Sequence, residues 1–196
     1  MIYRITDKNI ENVTFFSKYN SVVIDSNVLL WNFYGNISYS SDYQKNIYQP
    51  LLSKIISIDG CKIYTTSINI FEIFNVVEKT EYKIYLSTSS KTENMTTLKQ
   101  YRQIPKERER IKNICSLILK QISKCINIVD VTINYEDIKN FNDNYTLHKY
   151  DIFDYILLKF AKDKNINFIL TDDKDFSKGS YLLDNINIMT ANRNLN

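Results

Sequence analysis

Several residue types are scarce in this chain of 196 residues, and each shortage narrows its chemistry. It contains three glycines, two prolines and one histidine, His148. The three cysteines, Cys61, Cys115 and Cys125, share no metal-ligand spacing, and an odd number fits poorly with a disulfide framework. We therefore expect free thiols in a reducing cytoplasm. The bias toward Asn, Ile, Lys and Tyr reads as the codon usage of an AT-rich genome, and we give it no functional weight.

Long apolar runs are also absent. No run approaches the roughly 18 apolar residues of a membrane helix. The N-terminal sequence MIYRITDKNIENV carries charge from Arg4 onward and has no apolar core of the secretory type. The net charge of +3 is mild and does not by itself indicate a nucleic-acid-binding protein. These features predict a cytoplasmic globular protein without membrane association, forming a single domain over residues 1–196.

Short apolar runs alternate with helical periodicities, which predicts an α/β fold around a mostly parallel sheet. Strands are predicted at 21–25, 61–66, 126–131, 167–171 and 186–190. Helices are predicted at 6–18, 28–34, 42–58, 67–85, 105–125, 135–142 and 150–162. The polar stretch 86–103 has weak periodicity and is predicted to be an exposed loop. Residues 86–125 would then form a helical and loop insertion.

What the chain does contain is a set of acidic residues where predicted strands and helices meet. Asp25 ends the run VVID, Asp173 follows FILTD, and Asp154 lies in the apolar helix DIFDYILLKFA. Glu72 lies on an otherwise apolar helix, where a charge is costly unless it is paired or bound to a metal. Ligands bind outside the carboxyl ends of strands in an open parallel sheet. Four carboxylates delivered there would repel one another unless hard cations such as Mg²⁺ or Mn²⁺ neutralise them.

Each acid also has a structural interpretation. Asp25 could cap the helix that follows it, and Glu72 could form a buried ion pair. Asp151 and Asp154 are spaced i and i+3 and share one helix face, so they could be a metal pair or first-turn acids. The helix-dipole interpretation suits Asp151 better because it lies nearer the helix start.

The motifs VVIDSNVLL, TTSINIFE, DYILLKFA and ILTDDKDF, in this order over about residues 21–190, resemble those of the PIN-domain nucleases. This family includes VapC-type toxins and RNA-processing proteins. The resemblance implies a PIN-like three-layer fold with a mostly parallel sheet of four or five strands between helices. It also implies a metal-dependent endoribonuclease that hydrolyses RNA phosphodiester bonds with Mg²⁺ or Mn²⁺. Carried over position by position, the catalytic and metal-binding residues are Asp25, Glu72, Asp154 and Asp173.

Five further residues are secondary candidates. Asn27 matches the family's polar residue two positions after the first acid, and Thr171 belongs to the final T-x-D turn. Asp151 and Asp172 are additional acids, so the choice within each neighbouring pair stays open. We expect Asp175 to cap the turn while Asp173 faces the site.

Contact with RNA is expected from Lys149, Lys174 and Lys178, which flank the acidic motifs. The mixed-charge run 106–112 is predicted to be a solvated helix face. Tyr34 and Tyr150 lie close to motif positions, where packing and base stacking are the two interpretations. No role is assigned to His148.

Alternative functions remain at this point. A non-catalytic PIN-like module could bind RNA or a protein. An aspartyl phosphotransferase would need a second Asp two residues after Asp25, where Asn27 stands. A VapC-type toxin would require an antitoxin, whereas a housekeeping ribonuclease would not, and a homodimer is expected by analogy only. The RNA target and the number of metal ions are left open.

Overall fold

The computed structural model describes residues 1–6, 10, 20–36, 42–90, 92, 95–146, 151–177 and 186–193. Within them the strands are β1 (Ile2–Arg4), β2 (Ser21–Ile24), β3 (Lys62–Thr66), β4 (Asn127–Val129), β5 (Phe168–Leu170) and β6 (Asn187–Thr190). The helices are α1 (Ser26–Phe33), α2 (Asp42–Ser57), α3 (Ser67–Thr88), α4 (Leu98–Tyr101), α5 (Pro105–Ile122), α6 (Tyr135–Asp143) and α7 (Ile152–Asp163). A short 3-10 helix covers Lys174–Ser177.

The described strands form one sheet in the order β1-β6-β5-β2-β3-β4, and every neighbouring pair is parallel. The predicted α/β class is therefore confirmed. The predicted count of four or five strands is too low, because β1 was missed. Three residues carry little periodic signal, and β1 depends on pairing with β6, where Ile2 lies opposite Ile188.

Central strands are apolar on both sides, as expected for a parallel sheet covered on both faces. Val22 and Ile24 contribute to one hydrophobic core, and Val23, between them, contributes to the other. The first core contains the apolar sides of α1, α2, α3 and α5, and the second contains most of α7. Helices therefore cover both faces of the sheet, which makes the architecture three-layered.

The predicted exposed loop at 86–103 is wrong in part. Helix α3 continues to Thr88, and α4 forms a separate turn at Leu98–Tyr101. Tyr101 is 0% exposed. Its ring centroid lies 5.3 Å from that of Tyr82 and 5.1 Å from that of Tyr85. Aromatic packing against α3 therefore holds this segment on the body of the protein.

Other predictions have separate outcomes. Helix α2 begins at Asp42 and accommodates Pro50 inside it. The helix predicted at 6–18 falls mostly outside the described residues. All three cysteines are free, with Cys115 buried. No helix among the described residues is long and apolar enough to cross a membrane.

Chain order places one edge of the sheet apart. From β2 the chain moves outward through β3 to β4, then returns to the other side of β2 to form β5 and β6. The direction of winding therefore reverses between β2 and β5. In open α/β sheets, ligands bind at the carboxyl ends of the strands beside such a reversal. Helices α1 and α3 begin directly after β2 and β3 at this edge. Helix α7 also begins there, because it ends shortly before β5 enters the sheet from the opposite edge.

Candidate functional site

Asp25 lies at the end of β2, and its carboxylate joins the two strands beside the reversal. Its backbone N–H donates to Leu170 O (3.0 Å). Its Oδ1 accepts from Ser26 N (2.6 Å), so Asp25 is also the N-cap of α1. Its Oδ2 accepts from Thr171 Oγ1 (2.6 Å), which follows β5. The capping interpretation is therefore correct, and it leaves Asp25 at the ligand-binding edge of the sheet.

Thr171 continues this connection to the acidic turn after β5. Its Oγ1 accepts from Asp173 N (3.0 Å), and Asp173 Oδ1 accepts from Asp175 N (2.8 Å). The turn is therefore capped by Asp173, whereas the sequence suggested Asp175. The buried Thr171 hydroxyl fixes the distance between Asp25 and the turn that carries Asp173.

Glu72, in the second turn of α3, reaches the same region. A hydrogen bond from Ser26 acts on its carboxylate, and Ser26 Oγ also lies 3.3 Å from Asp25 Oδ1. Sequence reasoning did not select Ser26 as a site residue. The available signal was a hydroxyl directly after the acid that ends a strand.

Asp154 and Asp151 begin α7 in different roles. Asp151 is the N-cap, and its Oδ1 accepts from the backbone N–H groups of Phe153 (2.8 Å) and Asp154 (3.0 Å). This agrees with the helix-start interpretation of Asp151. Asp154 lies one turn further on, half-buried.

Electrostatic coupling shows that the four predicted acids share one site. Burial raises the pKa of Asp25 to about 7, and the charges of Glu72 and Asp173 add to the rise. Burial, followed by the charges of Asp25, Asp151 and Asp173, raises the pKa of Asp154 to about 9. Burial also raises the pKa values of Glu72 and Asp173, and the charge of Asp151 adds to both shifts. Each carboxylate therefore lies within the field of others.

Asn27 adds an unsatisfied oxygen at the start of α1. Its Oδ1 is buried, and it is the one buried side-chain nitrogen or oxygen of the described residues without a hydrogen-bond partner. Buried polar atoms are almost always hydrogen-bonded, so an orphan acceptor beside Asp25 calls for a donor or a cation. Carboxylate and amide oxygens are the ligands that Mg²⁺ and Mn²⁺ prefer. The donor set therefore fits a hard cation.

The acids do not converge fully. Among the described residues, no three His, Cys, Asp or Glu side chains form a group that could hold a metal ion as they stand. Coupling at a distance and the lack of a tight group are compatible, because carboxylates without a cation repel one another.

Asp172 belongs to a different network. Its Oδ1 accepts from Tyr48 OH (2.7 Å), and its Oδ2 accepts from Tyr43 OH (2.9 Å) and Gln44 Nε2 (2.8 Å). These three donors lie on α2 and occupy both carboxylate oxygens. The structure therefore separates two adjacent acids, with Asp173 coupled to the site and Asp172 bound to α2.

The predicted basic contacts are only partly covered. Lys174 is exposed, and its charge acts on Asp173 by lowering its pKa, against the effect of burial. Lys149, Lys178 and Tyr150 lie outside the described residues, as does His148. Tyr34 is buried and donates to Glu81 Oε1 (2.6 Å), so its role is packing.

The mixed-charge run 106–112 is not merely a solvated face. Arg110 pairs with the buried Glu81 and with Glu107, while Arg108 pairs with Glu78 (3.3 Å). The prediction of a solvated face failed because α5 packs against α3, which has acids on the facing side.

Comparisons with known proteins do not assign a family. No protein-family model matches the sequence, and no curated protein is significantly similar to it. The functional argument therefore depends on the residues and on the geometry described above.

Proposed function

We propose that this protein is a metal-dependent endoribonuclease with a PIN-like fold. One observation carries the proposal: at the reversal of the sheet, Asp25, Glu72, Asp154 and Asp173 raise one another's pKa values in a buried setting. A fold that only needed stability would neutralise such a cluster internally. Buried acids left in mutual repulsion are typical of sites that receive a cation or a reacting group.

The residues that would hold Mg²⁺ or Mn²⁺ are these four acids, with Asn27 Oδ1 as an additional oxygen donor. Such an ion supplies a water of lowered pKa and neutralises charge on a phosphate. The protein itself supplies orientation: Thr171 Oγ1 and Ser26 N hold the two oxygens of Asp25. Asp151 fixes the first turn of α7 and so positions Asp154.

Phosphate binding has further support at this edge. The N-termini of α1, α3 and α7 lie there, and helix N-termini attract anions through free N–H groups and the helix dipole. Exposed Lys174 adds a positive charge beside Asp173. The order of the motifs, which resembles PIN-domain nucleases, supports RNA as the substrate.

The test is cleavage of a pool of structured and single-stranded RNA in Mg²⁺, in Mn²⁺ and in EDTA. Wild type is compared with Asp25→Asn and Asp154→Asn. The matched control is Asp59→Asn, an exposed acid in the turn before β3, at the opposite edge of the sheet. We expect metal-dependent cleavage that both site variants lose and the control keeps.

A second readout does not depend on finding the right substrate. Mg²⁺ or Mn²⁺ should raise the melting temperature of wild type and of Asp59→Asn, because a ligand that binds only the folded state stabilises it. The rise should be absent in Asp154→Asn. Cleavage that persists in EDTA, or in both site variants, would contradict the proposal.

The alternative is a non-catalytic PIN-like module that binds RNA or a protein. The lack of a ready metal-holding group among the described residues favours it. It predicts no cleavage and no metal-dependent stabilisation in a folded protein.

A toxin function is a narrower form of the proposal. A VapC-type toxin should arrest growth when expressed alone, and a partner antitoxin should relieve the arrest. The Asp25→Asn variant should be harmless in the same cells. A housekeeping nuclease would not arrest growth, and a homodimer is compatible with either function.

A further inference from the structure

Two large aromatic side chains stand exposed next to the acids of the site. Phe71 is 68% exposed and directly precedes Glu72, and Phe153 is 43% exposed and directly precedes Asp154. Exposing two phenylalanine rings to water is unfavourable, because each ring could bury a large apolar area elsewhere.

Their position in the fold is specific. Phe71 lies in the second turn of α3 and Phe153 in the first turn of α7, and both helices begin at the carboxyl edge of the sheet. The two helix starts are close to each other, since Glu72 is within the field of Asp151. Consecutive Cα atoms are about 3.8 Å apart, so each ring is attached immediately beside a carboxylate of the site.

Other aromatic side chains near the site are occupied. Tyr34 and Tyr48 are buried and hydrogen-bonded to Glu81 and Asp172, respectively. Tyr43 also donates to Asp172. The base-stacking role considered for Tyr34 therefore moves to the two phenylalanines, which have no polar atom to satisfy.

We propose that Phe71 and Phe153 form a stacking surface for unpaired bases, so that the substrate class is single-stranded RNA. This inference rests on the proposed function, because it assigns the part of the substrate next to the acidic cluster. A base stacks on an exposed ring only when it has left its own stack, which excludes regular duplexes. Stacking tolerates any base, because every base has an aromatic face, so sequence preference from this surface should be weak.

The division of labour follows from charge. Phosphates need cations and helix N-termini, which the edge of the sheet offers. Bases are neutral and apolar on their faces, and rings without charge bind them without adding repulsion to the acidic site. Phe71 and Phe153 would therefore be specificity-determining residues, while the acids act on the phosphodiester.

Binding is measured by anisotropy of a labelled single-stranded RNA 12-mer, with Ca²⁺ in place of Mg²⁺ as an oxygen-seeking ion. A second 12-mer has the same sugar–phosphate chain but no bases, which separates stacking from charge. The proteins are wild type, Phe71→Ala, Phe153→Ala, the double variant, and Phe71→Tyr with Phe153→Tyr. Leu117→Ala, an exposed apolar residue in the second half of α5, is the matched control.

We expect each alanine variant to bind the base-bearing 12-mer about 10-fold more weakly, the usual effect of losing one stacked base. Binding of the abasic 12-mer should not change, and the tyrosine variants and Leu117→Ala should behave as wild type. Phe153→Trp offers a direct readout that does not need a destabilising truncation, since a base stacked on indole should quench its fluorescence.

The outcomes separate this inference from the proposed function. If wild type cleaves RNA with metal while the double alanine variant binds and cleaves it equally well, stacking is refuted and the nuclease stands. If base-dependent binding is lost in the alanine variants but wild type never cleaves, stacking stands and the nuclease fails. A wild type that neither prefers bases nor cleaves overturns both.

Discussion

Glu81 and Asp25 are both buried carboxylates, yet the protein treats them in opposite ways. Glu81, in the middle of α3, is 0% exposed. Burial opposes its ionisation, but donors at Tyr34 and Asn36 and the charge of Arg110 lower its pKa. Asp25 is 6% exposed and receives hydrogen bonds from Thr171 and Ser26, but its charged neighbours are acids, and its pKa is raised to about 7.

The difference shows how to distinguish structural acids from functional ones. Around Glu81 the fold brings a guanidinium and two neutral donors, so the charge contributes to stability. At the edge of the sheet it brings further carboxylates, so ionisation of the group opposes folding. Burial alone does not separate the two regions, whereas the sign of the neighbouring charges does.

Arg110→Ala should produce the largest effect on this comparison. It would leave Glu81 buried without its cation, and breaking one partner of such a pair destabilises by about 3 kcal/mol. Urea unfolding would measure the loss. Arg102→Ala, which breaks a more exposed pair with Glu78, is the control and should cost about 1 kcal/mol or less. Equal losses would show that Glu81 does not depend on Arg110.

Stability should also depend on pH with the sign set by the site. The folded pKa values of Asp25 and Asp154 lie above their ordinary value of 3.8, so the folded state holds protons that the unfolded state has released. Their contribution is complete below that value and is lost as the pH rises toward about 7 and about 9. Without metal, unfolding free energy should fall by on the order of 2 kcal/mol between about pH 6 and about pH 8.5.

Glu78 and Glu81 provide an internal control for that measurement. Their pKa values are lowered, so they are ionised throughout this range and add a constant term. Mg²⁺ should reduce the decline, because the cation offsets the repulsion between the carboxylates. A stability that rises with pH over the same range would contradict the electrostatic picture of the site.

The adjacent acids Asp172 and Asp173 allow a sharper test. Asp172→Asn should lower stability by about 1.5 kcal/mol, since hydrogen bonds to a charged group are lost from Tyr48 and its neighbours. It should keep the stabilisation by Mg²⁺. Asp173→Asn should weaken that stabilisation, measured as the shift in melting temperature. The reverse pattern would exchange their assignments.

Asp154→Asn should give the smallest change in stability, and of opposite sign. Removing one of several repelling carboxylates should raise the metal-free unfolding free energy by about 1 kcal/mol, or the melting temperature by about 3 °C. Differential scanning calorimetry at neutral pH, beside Asp59→Asn, would measure it. A destabilised Asp154→Asn protein would mean that this carboxylate has a structural partner.

Much of this organisation was predictable from local patterns. Asp25 follows an apolar run, Asp154 interrupts an apolar helix, and both signals need only a few neighbouring residues. Five strands were predicted within one or two residues of their observed limits, because β-branched runs are bounded by polar turns. The metal role assigned to the four acids stays a prediction.

What escaped prediction depends on partners distant in the chain. Strand β1 is three residues long and is defined by β6, more than 180 residues away. Tyr101 looked like part of a polar loop until its contacts with α3 were known. Glu81 lies in the charged stretch EKTEYK, and only the packing of α5 on α3 supplies its cation.

The sequence by itself determined where carboxylates meet the ends of strands, because strand periodicity and apolar runs are local properties of the chain. Tertiary structure decided which of those carboxylates face one another. It assigned Asp172 to α2 and Asp173 to Asp25, and it placed Phe71 and Phe153 beside the site. The physical reason is that electrostatic coupling and burial depend on distance in space, and strand order sets that distance across gaps of more than a hundred residues.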